Sequence, residues 1–290
     1  MPPRSTNLDS SVVVRPLAEA FVAEVVGVDL SSEVSDAAFG AIHDAFLQFQ
    51  VLVFRNQELT PTRHVEFARR FGEVQTHVLN RYHHDEHPEL FFLSNLDERG
   101  EPNGQHPDRG TLYWHTDGSW TKRTTKATLI YSVEVPRAGG ETHFADMYRA
   151  YESLPEVTKQ RIAGLQAVHN LDFSRTRRHG EDPLTEAQRQ RAPAIDHPIV
   201  RTHPETARKC LFLGDHAERV VGFDYGEGRA LIEELTALAT RPLLVYRHEW
   251  RPRELIVWDN RCVLHRATSF DTARERRVMR RSTVLADISQ

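Results

Sequence analysis

The sequence predicts a mainly β fold, a β-sandwich or jelly roll with helical decoration, rather than alternating βαβ units. Short apolar segments typical of strands flank His115, Asp117 and His265, whereas helical patterns lie mostly in the first half or in inserted segments. The 290 residues are enough for one large domain or two small ones, and no internal repeat divides them. We therefore expect a single domain over residues 1–290.

The first half of the chain combines short strands with two amphipathic helices. Apolar residues spaced three or four apart predict helices, and compact β-branched or aromatic runs predict strands. The predicted elements are, in order, short strands with a turn in 12–30, a helix through Phe39, Ile42 and Phe46 after a polar start at 31–33, a strand at 51–54, a helix from Thr60 and Pro61 to Gly72, and a strand at 90–93.

The second half is interrupted by polar segments. Residues 94–113 are rich in Gly, Asn, Pro and Asp, which predicts a loop. Residues 174–193 hold many Arg, Glu and Gln, which indicates an exposed polar insert; that it forms a lid is a hypothesis. The other predicted elements are a strand at 127–135 with a turn at 136–140, a helical segment at 146–168, a helix at 227–240 and strands at 255–258 and 277–285.

A His-x-Asp pair and a late histidine are the candidate metal ligands. In an extended strand, His115 and Asp117 point to the same face, and a neighbouring strand that starts at His265 can bring in a third ligand. Two histidines and one carboxylate are the ligand set of a non-haem Fe(II) oxygenase. Among 16 histidines such a pair also arises by chance as a surface His beside a turn, but the flanking Trp114 and Trp120 favour the metal interpretation.

The other histidines are less suited to this role. His83, His84 and His87 lie in a polar stretch typical of a solvated loop, although a separate ligand cluster there stays open. His43 and His64 fall on helix faces, which indicates structural roles.

Two arginines share one face of the predicted C-terminal strand. Alternation with period two places Arg277, Met279 and Arg281 on one face and Arg280 on the other. If the first face is inward, both guanidinium groups need anionic partners, because burying an unpaired cation is costly. A carboxylate suits them through bidentate hydrogen bonds. The alternative is an edge strand whose arginines face water.

Composition excludes several classes of partner. The net charge of −4 gives no global basic field, so neither nucleic acid nor an anionic membrane is expected as a partner. The first residues lack the apolar core of a signal peptide, and no apolar run approaches the about 18 residues of a membrane span. Cys210 and Cys262 form no CxxC motif, so no zinc ribbon is indicated. We expect a cytoplasmic homo-oligomer.

The chain has six short motifs, at 51–57, 67–73, 114–117, 139–142, 258–261 and 277–281. Taken together, they resemble the TauD/TfdA family of Fe(II)- and 2-oxoglutarate-dependent dioxygenases over nearly the whole chain. Each motif is common alone, but the combination is specific, and the late part resembles the 2,4-dichlorophenoxyacetate dioxygenase branch. The resemblance implies a double-stranded β-helix, the jelly-roll variant of clavaminate synthase-like proteins.

The resemblance also implies which groups bind the metal and the cosubstrate. By this likeness His115, Asp117 and His265 bind Fe(II), while Thr142 and Arg277 hold the distal carboxylate of 2-oxoglutarate. The second cosubstrate is O2, and ascorbate is expected to sustain activity. The negative charges of Asp117 and 2-oxoglutarate balance the positive charges of Fe(II) and one arginine. The charge of the second arginine is left over, which predicts a small anionic substrate.

Four residues are implied to contact that substrate. Arg281 meets its anionic group, and His77 matches a substrate-contacting histidine of the taurine branch. Asn80 stands where the taurine branch has Tyr, and Thr111 stands where it has an Asn that helps to hold taurine. These departures argue against taurine as the substrate.

The implied reaction is hydroxylation of a carboxylate-bearing substrate with release of succinate and CO2. An aryloxyalkanoate would be cleaved at its ether bond, and a sulfonate or alkyl sulfate is the alternative substrate. Two other classes stay open: a zinc hydrolase that uses the same ligands, and a non-catalytic jelly-roll binding protein. The paired arginines favour the dioxygenase.

Overall fold

The computed structural model describes residues 12–17, 21–76 and 86–287. Its secondary structure is mainly β, which confirms the predicted fold class. The strands are β1 (Val13–Pro16), β2 (Val22–Val26), β3 (Val51–Phe54), β4 (Phe91–Ser94), β5 (Thr125–Glu134), β6 (Thr142–Asp146), β7 (Gln166–His169), β8 (Ile195–Pro198), β9 (Val200–Thr202), β10 (Lys209–Leu211), β11 (Ala217–Val220), β12 (Val245–His248), β13 (Leu255–Asp259), β14 (Val263–Ala267) and β15 (Val278–Leu285).

Short α-helices decorate the strands. Ser35 caps the first by accepting a hydrogen bond from the Ala38 amide, and Pro61 opens the second behind its N-cap Thr60. Among the helices of the described residues, none combines the length and the apolar character needed to cross a bilayer. They are α1 (Asp36–Phe49), α2 (Pro61–Arg69), α3 (Met147–Glu152), α4 (Glu156–Ile162), α5 (Leu171–Phe173), α6 (Glu186–Arg191) and α7 (Tyr225–Ala239).

Two packed sheets build the jelly roll. The large sheet has the strand order β1-β2-β3-β13-β5-β15-β4, so strands from the end of the chain lie between strands from its beginning. The small sheet has the order β12-β6-β14. Phe144 of the small sheet packs edge-on against Trp258 of the large sheet, with ring centroids 5.4 Å apart. This arrangement confirms the expected jelly roll.

Helices α1 and α2 cover the opposite face of the large sheet. Phe46, Phe67 and Phe71 form a cluster in which Phe71 lies 5.3 Å and 5.5 Å from the other two rings. Such edge-to-face pairs each add about 0.5–1.5 kcal/mol beyond the burial of their area. Because both faces of the large sheet are covered, β3 and β13 are buried at every position and have no polar alternation.

Helix α2 explains why β15 is buried on both of its faces. Arg277 and Met279 are buried on the inner side, but Arg280 and Ser282 are buried too. On that second face His64 of α2 accepts from Arg280 Nε at 3.2 Å, and its Nε2 pairs with the Ser282 hydroxyl at 3.0 Å. His64 is therefore structural, as expected.

Two other predictions need correction. Residues 166–169, predicted at the end of a helical segment, form β7 because Gly164, with φ of 77°, redirects the chain after α4. The segment 174–193 was predicted as an exposed insert. None of the α6 residues is buried, but Ser174 and Leu184 are 0% and 7% exposed, so the segment is anchored at both ends of its first half.

Candidate metal centre

Strand pairing brings the two candidate histidine ligands together. His115 forms an isolated antiparallel bridge with His265, the middle residue of β14 rather than its start. The His115 amide donates to the His265 carbonyl at 3.0 Å, and the reverse hydrogen bond is 2.8 Å. Directly opposed residues project to the same side, and the two imidazole centroids are 4.2 Å apart.

Asp117 reaches the same place by a turn and not by an extended strand, which corrects the predicted geometry. The chain leaves the bridge after His115, and residues 117–120 form a turn. Gly118 has φ of 63°, and a Cβ there would lie 2.4 Å from Thr125 Oγ1. Only glycine fits this position, so the residue that follows the Asp is part of the ligand geometry.

The three donor groups converge into one buried group that could hold a metal ion. The ligand atoms of His115, Asp117 and His265 all lie within 4.8 Å of one another. His115 Nε2 lies 3.6 Å from Asp117 Oδ1, and His265 Nε2 lies 3.7 Å from Oδ2. His115 Nδ1–H donates to the Tyr113 carbonyl at 2.8 Å, which leaves its Nε2 lone pair free for a metal.

Hydrogen bonds from residues that are not candidate ligands orient the carboxylate of Asp117. Thr128 donates to Oδ2 at 2.6 Å, and Asn260 donates to Thr128 at 2.9 Å. The Asp117 amide donates to Asn260 Oδ1 at 3.2 Å. Burial alone would raise the pKa of Asp117, but Arg281 and the two histidines lower it well below its ordinary value, which keeps it ionised. The sequence analysis missed Thr128 and assigned no role to Asn260, although Asn260 lies in one of the recognised motifs.

Arg281 lies directly beside the metal ligands. Its Nη2 is 2.9 Å from Asp117 Oδ1, and the Arg281 side chain is 19% exposed. It lines a cavity of about 370 Å³ together with His115, Asp117, Thr111 and Trp120. Since a guanidinium has five N–H donors, Arg281 can contact Asp117 and a second anion at once. Thr111 and Arg281, predicted as substrate contacts, therefore share one cavity with two of the three candidate ligands, His115 and Asp117.

Arg277 is buried without an acidic partner among the described residues. It is 4% exposed, and its Nε lies at a long 3.4 Å from the Gly140 carbonyl. Burial lowers the pKa of this guanidinium to about 10, and no neighbouring carboxylate opposes that shift. Gly140 has φ of 68°, and a Cβ there would lie 3.3 Å from Arg277 Cδ. Thr142, two residues further on, accepts a hydrogen bond from Trp250 Nε1 at 2.9 Å.

A second buried group of His203, Asp259 and Cys262 also has ligand atoms within 4.8 Å. Arg261 donates to both oxygens of Asp259, at 2.8 Å and 2.7 Å, and His203 Nε2 donates to Oδ2 at 3.0 Å. Because the carboxylate is fully used by these donors, the group is an ion-pair network and not a metal site.

The predicted substrate contacts His77 and Asn80, and also His83 and His84, lie outside the described residues.

A jelly roll that holds two histidines and one carboxylate in its interior has the ligand set typical of non-haem iron oxygenases. The family model of the "Taurine catabolism dioxygenase TauD, TfdA family" matches residues 14–283. The chain belongs to this family, and the recognition from sequence is confirmed.

Individual relatives agree with this assignment. The chain is 37% identical to the alpha-ketoglutarate-dependent 2,4-dichlorophenoxyacetate dioxygenase of Cupriavidus pinatubonensis, over 96% of this chain and 99% of that protein. It is 31% identical to an alkylsulfatase of Acinetobacter baylyi, over 98% and 88% of the two chains. The solved structure of AAD-2 in complex with Mn(II) and N-oxalylglycine matches with a TM-score of 0.85 and 32% identity, over 95% of this chain and 97% of that one.

Proposed function

We propose that this protein is an Fe(II)- and 2-oxoglutarate-dependent dioxygenase that hydroxylates a small carboxylate-bearing substrate. One observation carries the proposal: Arg281 on β15 contacts Asp117 of a buried group of two histidines and one carboxylate, and Arg277, four residues earlier, is a buried cation for which the described residues supply no anion. The first feature fits a divalent metal, and the second fits the carboxylate of a bound cosubstrate.

The residues present fit both groups. His115, Asp117 and His265 would hold Fe(II), and Arg277 and Thr142 would hold the distal carboxylate of 2-oxoglutarate. N-oxalylglycine, present in the AAD-2 structure, has the same two carboxylates at the same spacing, which supports a cosubstrate of this shape. Bound iron and 2-oxoglutarate supply the oxidation: O2 converts 2-oxoglutarate to succinate and CO2, and its second oxygen atom becomes a hydroxyl group on a substrate C–H carbon.

The chain itself positions the reactants. Arg281 binds the anionic group of the substrate, and its contact with Asp117 keeps that group next to the metal ligands. Trp120 and Thr111 line the same cavity and limit the access of water. Ascorbate is expected to maintain the metal in its reduced state during turnover. We propose that these residues work within one domain over 1–290, since both sheets contribute to the site.

Aryloxyalkanoates are the substrate class that we favour. The similarity to a 2,4-dichlorophenoxyacetate dioxygenase at 37% identity supports this choice. Hydroxylation of the carbon between the ether oxygen and the carboxylate gives a hemiacetal, which breaks into a phenol and an oxoacid. Alkyl sulfates are the second candidate, because the relative named alkylsulfatase is 31% identical over 98% of this chain. Both classes carry an anion that Arg281 can bind.

Succinate formation tests the proposal. The protein, Fe(II), 2-oxoglutarate, ascorbate and air are combined with matched panels of aryloxyalkanoates, alkyl sulfates and sulfonates. We expect succinate and phenol in equal amounts from an aryloxyalkanoate, and aldehyde with sulfate if the second candidate is correct. A hydrolase would form product without O2, and a binding protein would bind metal and 2-oxoglutarate without turnover; either result would refute the proposal.

A further inference from the structure

We propose that His179 and Asp215 are a positioning pair that holds the segment 174–193 against residues 113–114 and thereby fixes the orientation of His115. This inference rests on the proposed function, because it concerns the same metal site. His179 follows the π-helical turn Ser174–Arg178, and Asp215 lies between β10 and β11, so the pair joins two distant parts of the chain.

The hydrogen bond between the two side chains is short and buried. His179 Nε2–H donates to Asp215 Oδ2 at 2.5 Å, and the two side chains are only 6% and 1% exposed. Arg178 Nε–H donates to the other carboxylate oxygen. Burial alone would raise the pKa of Asp215, but His179 and Arg178 lower it below its ordinary value, so the carboxylate is ionised. Charge-assisted hydrogen bonds of this kind are about twice as strong as neutral ones.

Both members of the pair contact the residues just before the ligand. The Tyr113 ring is stacked on His179 with centroids 5.0 Å apart and planes at 23°, and its hydroxyl donates to the Arg178 carbonyl at 2.8 Å. From the other side, the Asp215 amide donates to the Trp114 carbonyl at 2.8 Å. The backbone that leads into His115 is thus held between two segments.

A single hydrogen bond links Tyr113, which contacts the segment 174–193, to the candidate metal ligand His115. The Tyr113 carbonyl accepts from His115 Nδ1–H at 2.8 Å, and such partners set which nitrogen of a ligand histidine faces the metal. If the segment 174–193 moved away, Tyr113 would lose the contacts of both its ring and its hydroxyl. The carbonyl that orients His115 would then be free to shift.

The same contact forms one wall of the cavity. His179, Asp215, Gly110 and Thr111 all line the cavity that contains Arg281. The His179 ring packs so tightly on Gly110 that a Cβ there would lie 2.9 Å from its Cε1. Ordering of the segment and orientation of the metal ligand therefore depend on one set of atoms.

The test compares His179→Ala with His179→Gln, whose amide N–H can replace the Nε2–H donor. Glu186→Gln is the matched control, because it removes an ion pair with Arg189 (3.3 Å) inside the same segment without contact to Tyr113. Mn(II) alone is the probe of the metal site, measured by calorimetry. The rate of trypsin cleavage within 174–193 reports how firmly the segment is held, and thermal unfolding reports global stability.

We expect His179→Ala to weaken Mn(II) binding about tenfold or more, as loss of such partners does at other metal sites, and to accelerate cleavage. His179→Gln should recover most of both properties, and Glu186→Gln should match the unsubstituted protein. Faster cleavage with unchanged Mn(II) affinity, or no change in either, would overturn the inference. If the unsubstituted protein itself bound no Mn(II) through His115, the proposed function would fail, and this outcome is distinct from the other two.

Discussion

Replacing Arg277 with Met tests whether this buried guanidinium serves a bound anion or the fold. The side chain is 4% exposed, and among the described residues no carboxylate opposes the effect of burial on it. Met is unbranched, of similar length and apolar, so it can fill the space without a charge. We expect the variant to lose affinity for 2-oxoglutarate while the cosubstrate-free protein keeps or gains stability.

The size of the first effect follows from the contact that the guanidinium can make. A bidentate pair with a carboxylate contains two charged hydrogen bonds, each of about 1.5–3 kcal/mol, or about 3–6 kcal/mol together. Since about 1.4 kcal/mol corresponds to a factor of ten, the dissociation constant should rise at least about a hundredfold. Most substitutions of buried residues lower stability. Arg277→Met should instead keep or raise the stability of the cosubstrate-free protein, because removing an unpaired buried charge relieves a desolvation cost.

Arg280→Met is the matched control on the same strand. Arg280 is buried on the other face, where it donates to His64 and to the Leu59 carbonyl and lies 4.8 Å from the Tyr131 ring. Its loss leaves these acceptors unsatisfied, so we expect a destabilisation of about 1–3 kcal/mol with unchanged affinity for 2-oxoglutarate.

Anaerobic titration of the Fe(II) protein with 2-oxoglutarate gives the affinity, and urea unfolding of the cosubstrate-free protein gives the stability. The reasoning is refuted if Arg277→Met binds 2-oxoglutarate normally and is destabilised as much as Arg280→Met.

Three further predictions concern the ligands, the substrate and acid stability. Asp117→Ala should abolish metal binding and turnover, and a full metal content by elemental analysis would contradict the ligand assignment. Arg281→Ala should raise the substrate KM far more than the 2-oxoglutarate KM, and equal changes in steady-state assays would place this cation elsewhere. Burial alone would raise the pKa of Glu254, but His248 and Arg55 lower it below its usual 4.5. Its stabilising contribution is therefore present above that pH and lost as the pH falls below it, so Glu254→Gln should flatten the loss of stability measured by urea unfolding at acid pH.

The residues of the proposed site could be selected from the sequence because each is marked by its own local sequence. His115 and Asp117 stand together in one short motif, and His265 belongs to a strand whose pairing the fold class implied. Arg277 and Arg281 are four residues apart on one strand, so alternation alone placed them on one face. The sequence could not show that α2 covers the opposite face of this strand, because that depends on long-range packing.

The groups that orient the ligands were harder to predict, for a physical reason. Thr128 and Asn260 act on Asp117 from β5 and from the turn after β13, and no spacing in the chain connects the three positions. A threonine in a strand and an asparagine in a turn are ordinary for their secondary structure, so neither draws attention until the tertiary contact is known.

The segment 174–193 shows the limit of composition most clearly. Its arginines, glutamates and glutamines predict exposure, because charged side chains are rarely buried without a partner. Composition cannot reveal, however, whether a residue distant in the sequence supplies such a partner in the folded protein. Asp215 is such a partner: it is 4% exposed, and the hydrogen bonds from Arg178 and His179 to its two oxygens make its burial tolerable. A polar segment can therefore dock firmly when the surface that receives it is itself charged and buried, and here that surface adjoins the metal ligand His115.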